Sequence, residues 1–183
     1  RALEIATTLA LDPELMLLDE PTQGMGHEDV DRVADLIRKV AATGKPMIIS
    51  TGMATLAQID ETVRTAQEAG CRDLVLLKCT STYPASPGNT HLNAIPVLRA
   101  AFGCEVGLSD HTMGCGAAVA AVALGATVLE KHFTLSRADG GVDSTFSLEP
   151  AELALLRLET ERAWQAMGGV VFGIATTAVN PPS

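Results

Sequence analysis

The sequence predicts an α/β fold built from parallel βα units, and three of its features point to this class. Short apolar runs alternate with amphipathic helical patterns along the chain, as in proteins with a parallel sheet. The 183 residues are enough for one domain with a core of its own. The composition, 47% hydrophobic but only 3% aromatic, suits small-residue helices packed on aliphatic strands.

Five apolar runs predict the strands, each short enough for a buried parallel strand. Five strands leave two architectures open: an open doubly wound sheet, or part of a (β/α)8 barrel, which typically needs about 250 residues. In both, the active face is formed by side chains that follow the carboxyl ends of the strands. The predicted strands cover residues 16–19, 46–50, 73–79, 105–110 and 127–133.

Between the strands, apolar residues recur at the three- and four-residue spacing of amphipathic helices. Gly70 is expected to end the second helix, and Ser147 with Glu149–Pro150 to begin the last one. The final segment, residues 174–183, has no periodicity and is predicted to be a disordered tail. The predicted helices cover residues 29–42, 56–70, 91–103, 114–126 and 151–169.

The charge and the apolar runs exclude several classes of protein. A net charge of −9 and a pI of about 4.8 argue against nucleic-acid binding, which usually needs a basic face. No apolar run approaches the roughly 18–20 residues of a membrane span, and no signal peptide is found, so a cytoplasmic location is expected. The cysteines form no CxxC pair and are expected to be free thiols. The chain begins with Arg1 rather than Met, which suggests a fragment or an incomplete gene product.

Two histidines follow neighbouring predicted strands at matching positions. His111 and His132 are 21 residues apart, the length of one βα unit, so they occupy equivalent places at the strand ends. Their imidazoles could converge on one metal ion and leave positions open for water or substrate. The alternative is that each is a hydrogen-bonded structural histidine.

Hydroxyl, amine and carboxyl groups are predicted on the same rim. The hydroxyls could cradle the oxygens of a phosphate or carboxylate group, or simply cap the helices that follow. Lys78 and Lys131 either add positive charge to the rim or point outward. Asp143 lies in a Gly-rich loop after the last strand, which either closes over the site or is a solvated turn. The hydroxyl residues are Ser50, Thr51, Thr80, Ser81 and Ser109.

A series of long motifs occupies residues 43–173: KPMIISTGMAT, LLKCTSTYPA, GLSDHT, VALGATVLEKHFTLSRADGGVDSTFSLEP and ETERAWQAMG. In this order and spacing, the motifs resemble the sialic acid synthase family of phosphoenolpyruvate-dependent nonulosonate synthases. LLKCTSTYPA together with GGVDSTFSLEP is more similar to the pseudaminic acid synthases than to the N-acetylneuraminate synthases. The resemblance implies a transferase of carbohydrate biosynthesis and the C-terminal half of a TIM barrel.

The resemblance also implies the reaction and its participants. In the family, phosphoenolpyruvate condenses with the open-chain aldehyde of an acetamido sugar, and phosphate is released. The sugar would be a 6-deoxy-diacetamido sugar or N-acetylmannosamine. His111 and His132 would be catalytic as ligands of a divalent metal, Mn2+ ahead of Mg2+ or Co2+, and the family implies a homodimer.

The resemblance assigns the remaining site residues to the two substrates. Ser50, Ser81 and Ser109 would hold phosphoenolpyruvate. Tyr83 would line the sugar pocket. Asp143 would bind and orient sugar hydroxyls near the metal, and is counted with the two histidines as catalytic.

Residues 1–42 resemble a different family, the ABC transporter ATPases of the branched-chain amino-acid type. The stretch LLDEPTQGMG carries Asp19 and Glu20, which in that family serve magnesium and polarise the attacking water. The chain contains no GxxxxGK[ST] phosphate loop, without which these carboxylates have no triphosphate to act on. The resemblance predicts a non-functional Walker B strand–helix unit in place of the first part of the synthase barrel.

The two resemblances together predict the organisation of the chain. An ABC ATPase-like fragment covers residues 1–42, a partial TIM-barrel synthase domain covers residues 43–173, and the tail covers residues 174–183. The first half of the synthase barrel and the family's C-terminal domain have no counterpart, so we expect a truncated synthase without turnover. The alternatives are the ATP-binding subunit of an ABC transporter and an inactive chimeric fragment.

Overall fold

The computed structural model describes residues 16–18 and 27–172, and its centre is one parallel sheet. The strands are β1 (Met16–Leu18), β2 (Met47–Ser50), β3 (Leu74–Cys79), β4 (Glu105–Asp110) and β5 (Leu129–Lys131). Every neighbouring pair is parallel, and the order is β1-β2-β3-β4-β5. The five predicted strands are therefore confirmed, although β5 is shorter than predicted.

The helices connect the strands as predicted, with small differences at their ends. They are α1 (His27–Ala41), α2 (Leu56–Glu68), α3 (Ala94–Phe102), α4 (Gly116–Ala123) and α5 (Pro150–Met167). Gly70, with a φ of 99°, follows the end of α2 as expected. At the start of α5, Glu149 is the N-cap and forms a capping box with Glu152. The prediction that Ser147 helps to begin this helix is wrong, because the capping box lies two residues further on.

The strand order decides between the two predicted architectures. A doubly wound sheet reverses its strand order and carries helices on both faces. Here the order is sequential, and because parallel crossovers are right-handed, all the helices lie on one face of the sheet. The chain is therefore an arc of a (β/α)8-type barrel.

Side chains alternate along each strand between a helix-facing side and an inner face that points away from the helices. In β4, Val106 and Leu108 face the helices and lie fully buried in the main apolar core. Gly107 and Ser109 therefore point to the inner face. This alternation decides which side chains at the strand ends can reach a common site.

Helix α1 belongs to the same core as the later elements. Its residues Val33, Ile37 and Val40 pack in one cluster with Met47 and Ile49 of β2. The predicted division at residues 42 and 43 thus crosses a continuous core, and it stays a prediction about domain origin. Asp19, Glu20 and residues 174–183 lie outside the described residues.

Two further predictions concern the membrane and the cysteines. No helix within residues 27–172 is long and apolar enough to cross a membrane. Cys71, Cys79, Cys104 and Cys115 form no disulfide bond within the described residues, as expected. Burial raises the pKa of the Cys71 and Cys104 thiols, which makes both thiols less prone to ionise.

Candidate active site at the carboxyl ends of the strands

The structure brings the two predicted histidines together at the carboxyl ends of β4 and β5. The register pairs Asp110 with Lys131, so the residues that follow them, His111 and His132, leave the sheet side by side. Their ring centroids are 5.2 Å apart, with 69° between the ring planes. Two imidazoles at this separation can approach one ligand from neighbouring strands.

The hydrogen bonds of His111 define which ring nitrogen is free. Its Nδ1 lies 2.8 Å from the backbone oxygen of Thr80. A carbonyl oxygen can only accept, so Nδ1 carries the proton and Nε2 of the neutral ring keeps its lone pair. Ser109 Oγ lies 3.4 Å from Nε2, but its hydroxyl donates a hydrogen bond to Glu130 Oε1 at 2.7 Å. The Nε2 lone pair is therefore available to a ligand.

His132 has a similar arrangement on the adjacent strand. Its Nδ1 lies 3.6 Å from Oδ2 of Asp143, so the loop that contains this aspartate closes over the histidine, as one reading of the sequence predicted. The His132 side chain is 31% exposed and the Asp143 side chain 47% exposed, which keeps both accessible to a small molecule. Each histidine thus has an oxygen atom near Nδ1.

An aromatic cluster surrounds the two imidazoles. The ring of Tyr83 lies 4.3 Å from that of His111 and 5.9 Å from that of His132, centroid to centroid. Phe146, which is buried, lies 5.0 Å from His132 and 5.9 Å from Tyr83. Contacts of this kind restrict the ring orientations and contribute about 0.5–1.5 kcal/mol per pair.

The Asp143 loop is held by its own hydrogen bonds and by the start of α5. Ser147 Oγ donates to the backbone oxygen of Asp143 at 2.7 Å. Arg137 links the loop to the helix, since its amide donates to Glu149 Oε1 at 2.8 Å and its guanidinium pairs with Glu152. The bond from the Glu149 amide, with Arg137 as a further cause, lowers the pKa of the Glu152 carboxyl.

The donors fit a divalent metal of the transition series. In metal sites, a histidine ligand usually directs its second nitrogen at a carbonyl or a carboxylate, and His111 has this arrangement with the Thr80 carbonyl. The Asp143 carboxylate lies near His132 Nδ1 but, at 3.6 Å, beyond hydrogen-bond distance. Among residues 27–172, no group of three or more His, Cys, Asp or Glu side chains is arranged to hold a metal ion. Any ion held by the two histidines would take its other ligands from water or substrate.

The predicted rim hydroxyls differ in what they already bind. Ser50 is 4% exposed, and its Oγ has no hydrogen-bond partner in the described structure. Thr51 Oγ1, by contrast, donates to the backbone oxygen of Leu77 at 2.9 Å. Thr80 Oγ1 lies 3.3 Å from the backbone oxygen of Asn89. A buried hydroxyl without a partner costs about 1–3 kcal/mol, so Ser50 is the member of the set best prepared to bind a ligand.

The two predicted rim lysines are engaged elsewhere. Lys131 Nζ pairs with Asp110 Oδ2 at 2.8 Å on the helix-facing side, so of its two predicted positions the structure favours the outward one. Lys78 Nζ donates to the backbone oxygen of Cys79, and burial lowers the pKa of this lysine.

Glu130 was not predicted, although it shares a strand face with His132 by simple alternation.

Comparisons with known proteins agree with this geometry. A model of the NeuB family matches residues 28–172. The N,N'-diacetyllegionaminic acid synthase of Campylobacter jejuni is 43% identical over 134 residues, which are 72% of this chain and 40% of the relative. A pseudaminic acid synthase of the same species is 42% identical over 134 residues, with 73% of this chain and 39% of the relative covered.

A solved structure is similar over nearly the whole chain. The N-acetylneuraminic acid synthetase of Leptospira borgpetersenii, crystallised with citrate, superposes with a TM-score of 0.81 at 29% identity. The match covers 94% of this chain and 57% of that one. The chain spans about 40% of the length of the curated relatives described above. The resemblance of residues 1–42 to ABC transporter ATPases has no support here, and the family match begins inside that segment.

Proposed function

Because the chain belongs to the NeuB family, we propose that it acts as a phosphoenolpyruvate-dependent nonulosonic acid synthase. The observation that carries the proposal is the histidine pair, which offers two imidazoles to one ligand at the strand ends. In the proposed reaction, the methylene carbon of phosphoenolpyruvate forms a bond to the aldehyde carbon of an acetamido sugar. Water adds to the pyruvyl carbon, and phosphate leaves as its C–O bond breaks.

His111 and His132 are proposed to hold the metal. Imidazole is a common ligand of divalent transition metals, and the choice of Mn2+ among them follows from the family resemblance rather than from the donor atoms. Mn2+ is the ion we propose, with Co2+ and Mg2+ as alternatives, and it would supply a Lewis acid for the sugar aldehyde. The chain's own contribution is orientation: the Thr80 carbonyl fixes the proton of His111 on Nδ1 and leaves Nε2 basic.

Three serines that follow successive strands are proposed to hold phosphoenolpyruvate. Ser50 is the last residue of β2 and Ser109 the penultimate residue of β4, two strand spacings or about 10 Å away, and Ser81 follows the strand between them. The unpartnered hydroxyl of Ser50 supports this role, because an anionic oxygen would satisfy it. Glu130 accepts a hydrogen bond from Ser109 and so directs the Ser109 hydroxyl in the absence of substrate.

Tyr83 and Asp143 are proposed to bind the sugar. Tyr83 is 46% exposed and its ring stands against His111, so it can form a wall beside the metal. The half-exposed carboxylate of Asp143 can accept hydrogen bonds from sugar hydroxyls while it remains near His132. The motifs LLKCTSTYPA and GGVDSTFSLEP, which resemble the pseudaminic acid synthases, favour a 6-deoxy-diacetamido sugar over N-acetylmannosamine.

Thermal unfolding with Mn2+ in the presence and absence of phosphoenolpyruvate tests the anion site. We expect phosphoenolpyruvate to raise the Tm of the parent chain and to raise that of Ser50→Ala by clearly less, because one of the three proposed hydroxyl contacts is lost. Without ligand, Ser50→Ala should be as stable as the parent or more so, since it removes an unpaired buried hydroxyl worth about 1–3 kcal/mol.

Thr51→Val is the matched control, because it removes the neighbouring hydroxyl, whose partner is the Leu77 carbonyl. This variant should lose about 1 kcal/mol of stability yet keep the shift caused by phosphoenolpyruvate. A shift of equal size in Ser50→Ala and the parent would contradict the proposed anion site.

The truncation, the lack of turnover, the homodimer and the cytoplasmic location stay predictions.

A further inference from the structure

A buried ion pair joins β4 and β5 directly beneath the two histidines. Lys131 Nζ lies 2.8 Å from Asp110 Oδ2, and the two side chains are only 4% and 1% exposed. The two residues are also register partners, each being the last residue of its strand. The ion pair therefore bridges the ends of the strands from which the histidines emerge.

Thr112 completes the hydrogen bonds of both charges. Its amide and its hydroxyl donate to Asp110 Oδ1 at 2.9 and 2.7 Å. Its backbone oxygen accepts from Lys131 Nζ at 2.5 Å. The network encloses the backbone of His111, which lies between Asp110 and Thr112 in the chain.

The ion pair and the histidines occupy opposite sides of the same strand ends. Successive side chains alternate in an extended chain, so Asp110 and Lys131 point to the helix-facing side while His111 and His132 point to the other. Neither charge can contact a ligand between the imidazoles. The pair can act on such a ligand only through the position of the two strands.

We propose that Asp110 and Lys131 are positioning residues that hold His111 and His132 at the separation a shared divalent cation needs. The inference rests on the proposed function, because it assumes that the two histidines bind one ion. Stability alone does not explain the pair, since replacing a buried ion pair by apolar residues is often neutral or stabilising. A charged pair instead defines one relative position of two strands, because a shifted register separates the charges and leaves Asp110 buried without its partner.

A second ion pair on β4 provides a matched control. At the opposite end of the strand, Arg99 Nη2 lies 2.8 Å from Glu105 Oε2, with side chains 39% and 59% exposed. Glu105→Gln breaks this pair far from the histidines. It should leave Mn2+ affinity within about twofold of the parent, because exposed pairs contribute little.

The test measures two quantities for the full chain. The Mn2+ affinity is obtained from the EPR signal of free Mn2+, and the Tm is measured on the metal-free protein. The double variant Asp110→Asn/Lys131→Met removes both charges, so neither is left unpaired, and keeps an oxygen acceptor for Thr112. We expect it to fold with a Tm close to that of the parent and to bind Mn2+ about tenfold or more weakly. A role in stability alone would lower Tm without this loss of affinity.

Thr112→Val keeps both charges and removes one bond to Asp110, so it tests the inference if the double variant does not fold. We expect about threefold weaker Mn2+ binding in this variant. Unchanged affinity in the folded double variant, or in Thr112→Val, overturns the inference and leaves the proposed function intact. A parent chain whose Mn2+ binding is absent, or survives His111→Ala, overturns the proposed metal site and the inference with it.

Discussion

Replacing Gly107 by alanine should destabilise the chain strongly, because β4 has no space for a side chain at this point. A Cβ atom built on Gly107 lies 2.2 Å from the carbonyl oxygen of Val128 and 2.7 Å from Cδ2 of Leu77. The leucine can move by rotation, but the carbonyl oxygen belongs to the backbone that leads into β5. That oxygen also accepts a hydrogen bond of 2.9 Å from the Leu108 amide.

The magnitude follows from the size of the overlap. A carbon–oxygen contact normally needs about 3.3 Å, so the backbone at Val128 must retreat by roughly 1 Å. Overpacking of this kind costs about 1–3 kcal/mol. The displacement also weakens the bond to the Leu108 amide, worth about 1 kcal/mol more. We therefore expect a loss of about 2–4 kcal/mol, which lowers Tm by roughly 4–16 °C in a chain of this size.

Urea denaturation of Gly107→Ala and Gly116→Ala, followed by circular dichroism, measures the effect. Gly116 begins α4, and a Cβ atom there meets nothing within 4 Å. Alanine is a better helix former than glycine by up to about 1 kcal/mol, so Gly116→Ala should be neutral or slightly stabilising. Equal midpoints for the two variants would refute the reasoning, because it predicts a clear loss of stability only where the added Cβ overlaps its neighbours.

Two further predictions concern the elements around the Asp143 loop. The pKa of Glu152 is lowered, first by the hydrogen bond from the Glu149 amide and further by Arg137. The ionised Glu152 carboxylate therefore stabilises the fold above a pH of about 4.3, and this stabilisation is lost on acidification. Tm measured between pH 7 and pH 3 should therefore fall less steeply in Glu152→Gln than in the parent. Phe146→Leu should lower the free energy of unfolding by about 1–2 kcal/mol and weaken Mn2+ binding, because it removes the ring next to His132. An unchanged urea midpoint and an unchanged Mn2+ affinity would contradict this prediction.

The order of the elements could be predicted from the sequence because hydrophobic periodicity is local. β4 occupies the predicted residues 105–110, whereas β5 is shorter than its apolar run. Thr127 nevertheless donates to the backbone oxygen of Val106 at 3.0 Å, so the chain already lies along β4 before regular strand pairing begins. The choice between an open sheet and a barrel arc depends on strand order, which no local pattern contains.

The site was predicted in part, for reasons that lie in the geometry of strands. The spacing of His111 and His132 placed them at equivalent strand ends, and the structure brings them together. Lys131 was left with two possible directions, because alternation sets it opposite His132 only where the strand stays extended through both residues. Glu130 was missed because its role depends on the register of two strands: Ser109 lies opposite it, 21 residues earlier.

The register of β5 against β4 is the feature on which the whole candidate site depends. A slip of one residue would exchange the two faces of β5, so that Lys131 would reach the inner face and Glu130 would be buried under the helices. Two features oppose this slip from opposite ends of the strand pair. The ion pair with Asp110 favours the observed register at the carboxyl end, and the Val128 carbonyl fits beside β4 only where Gly107 leaves space. A substitution at Gly107 should therefore weaken Mn2+ binding as well as stability, although it touches neither histidine.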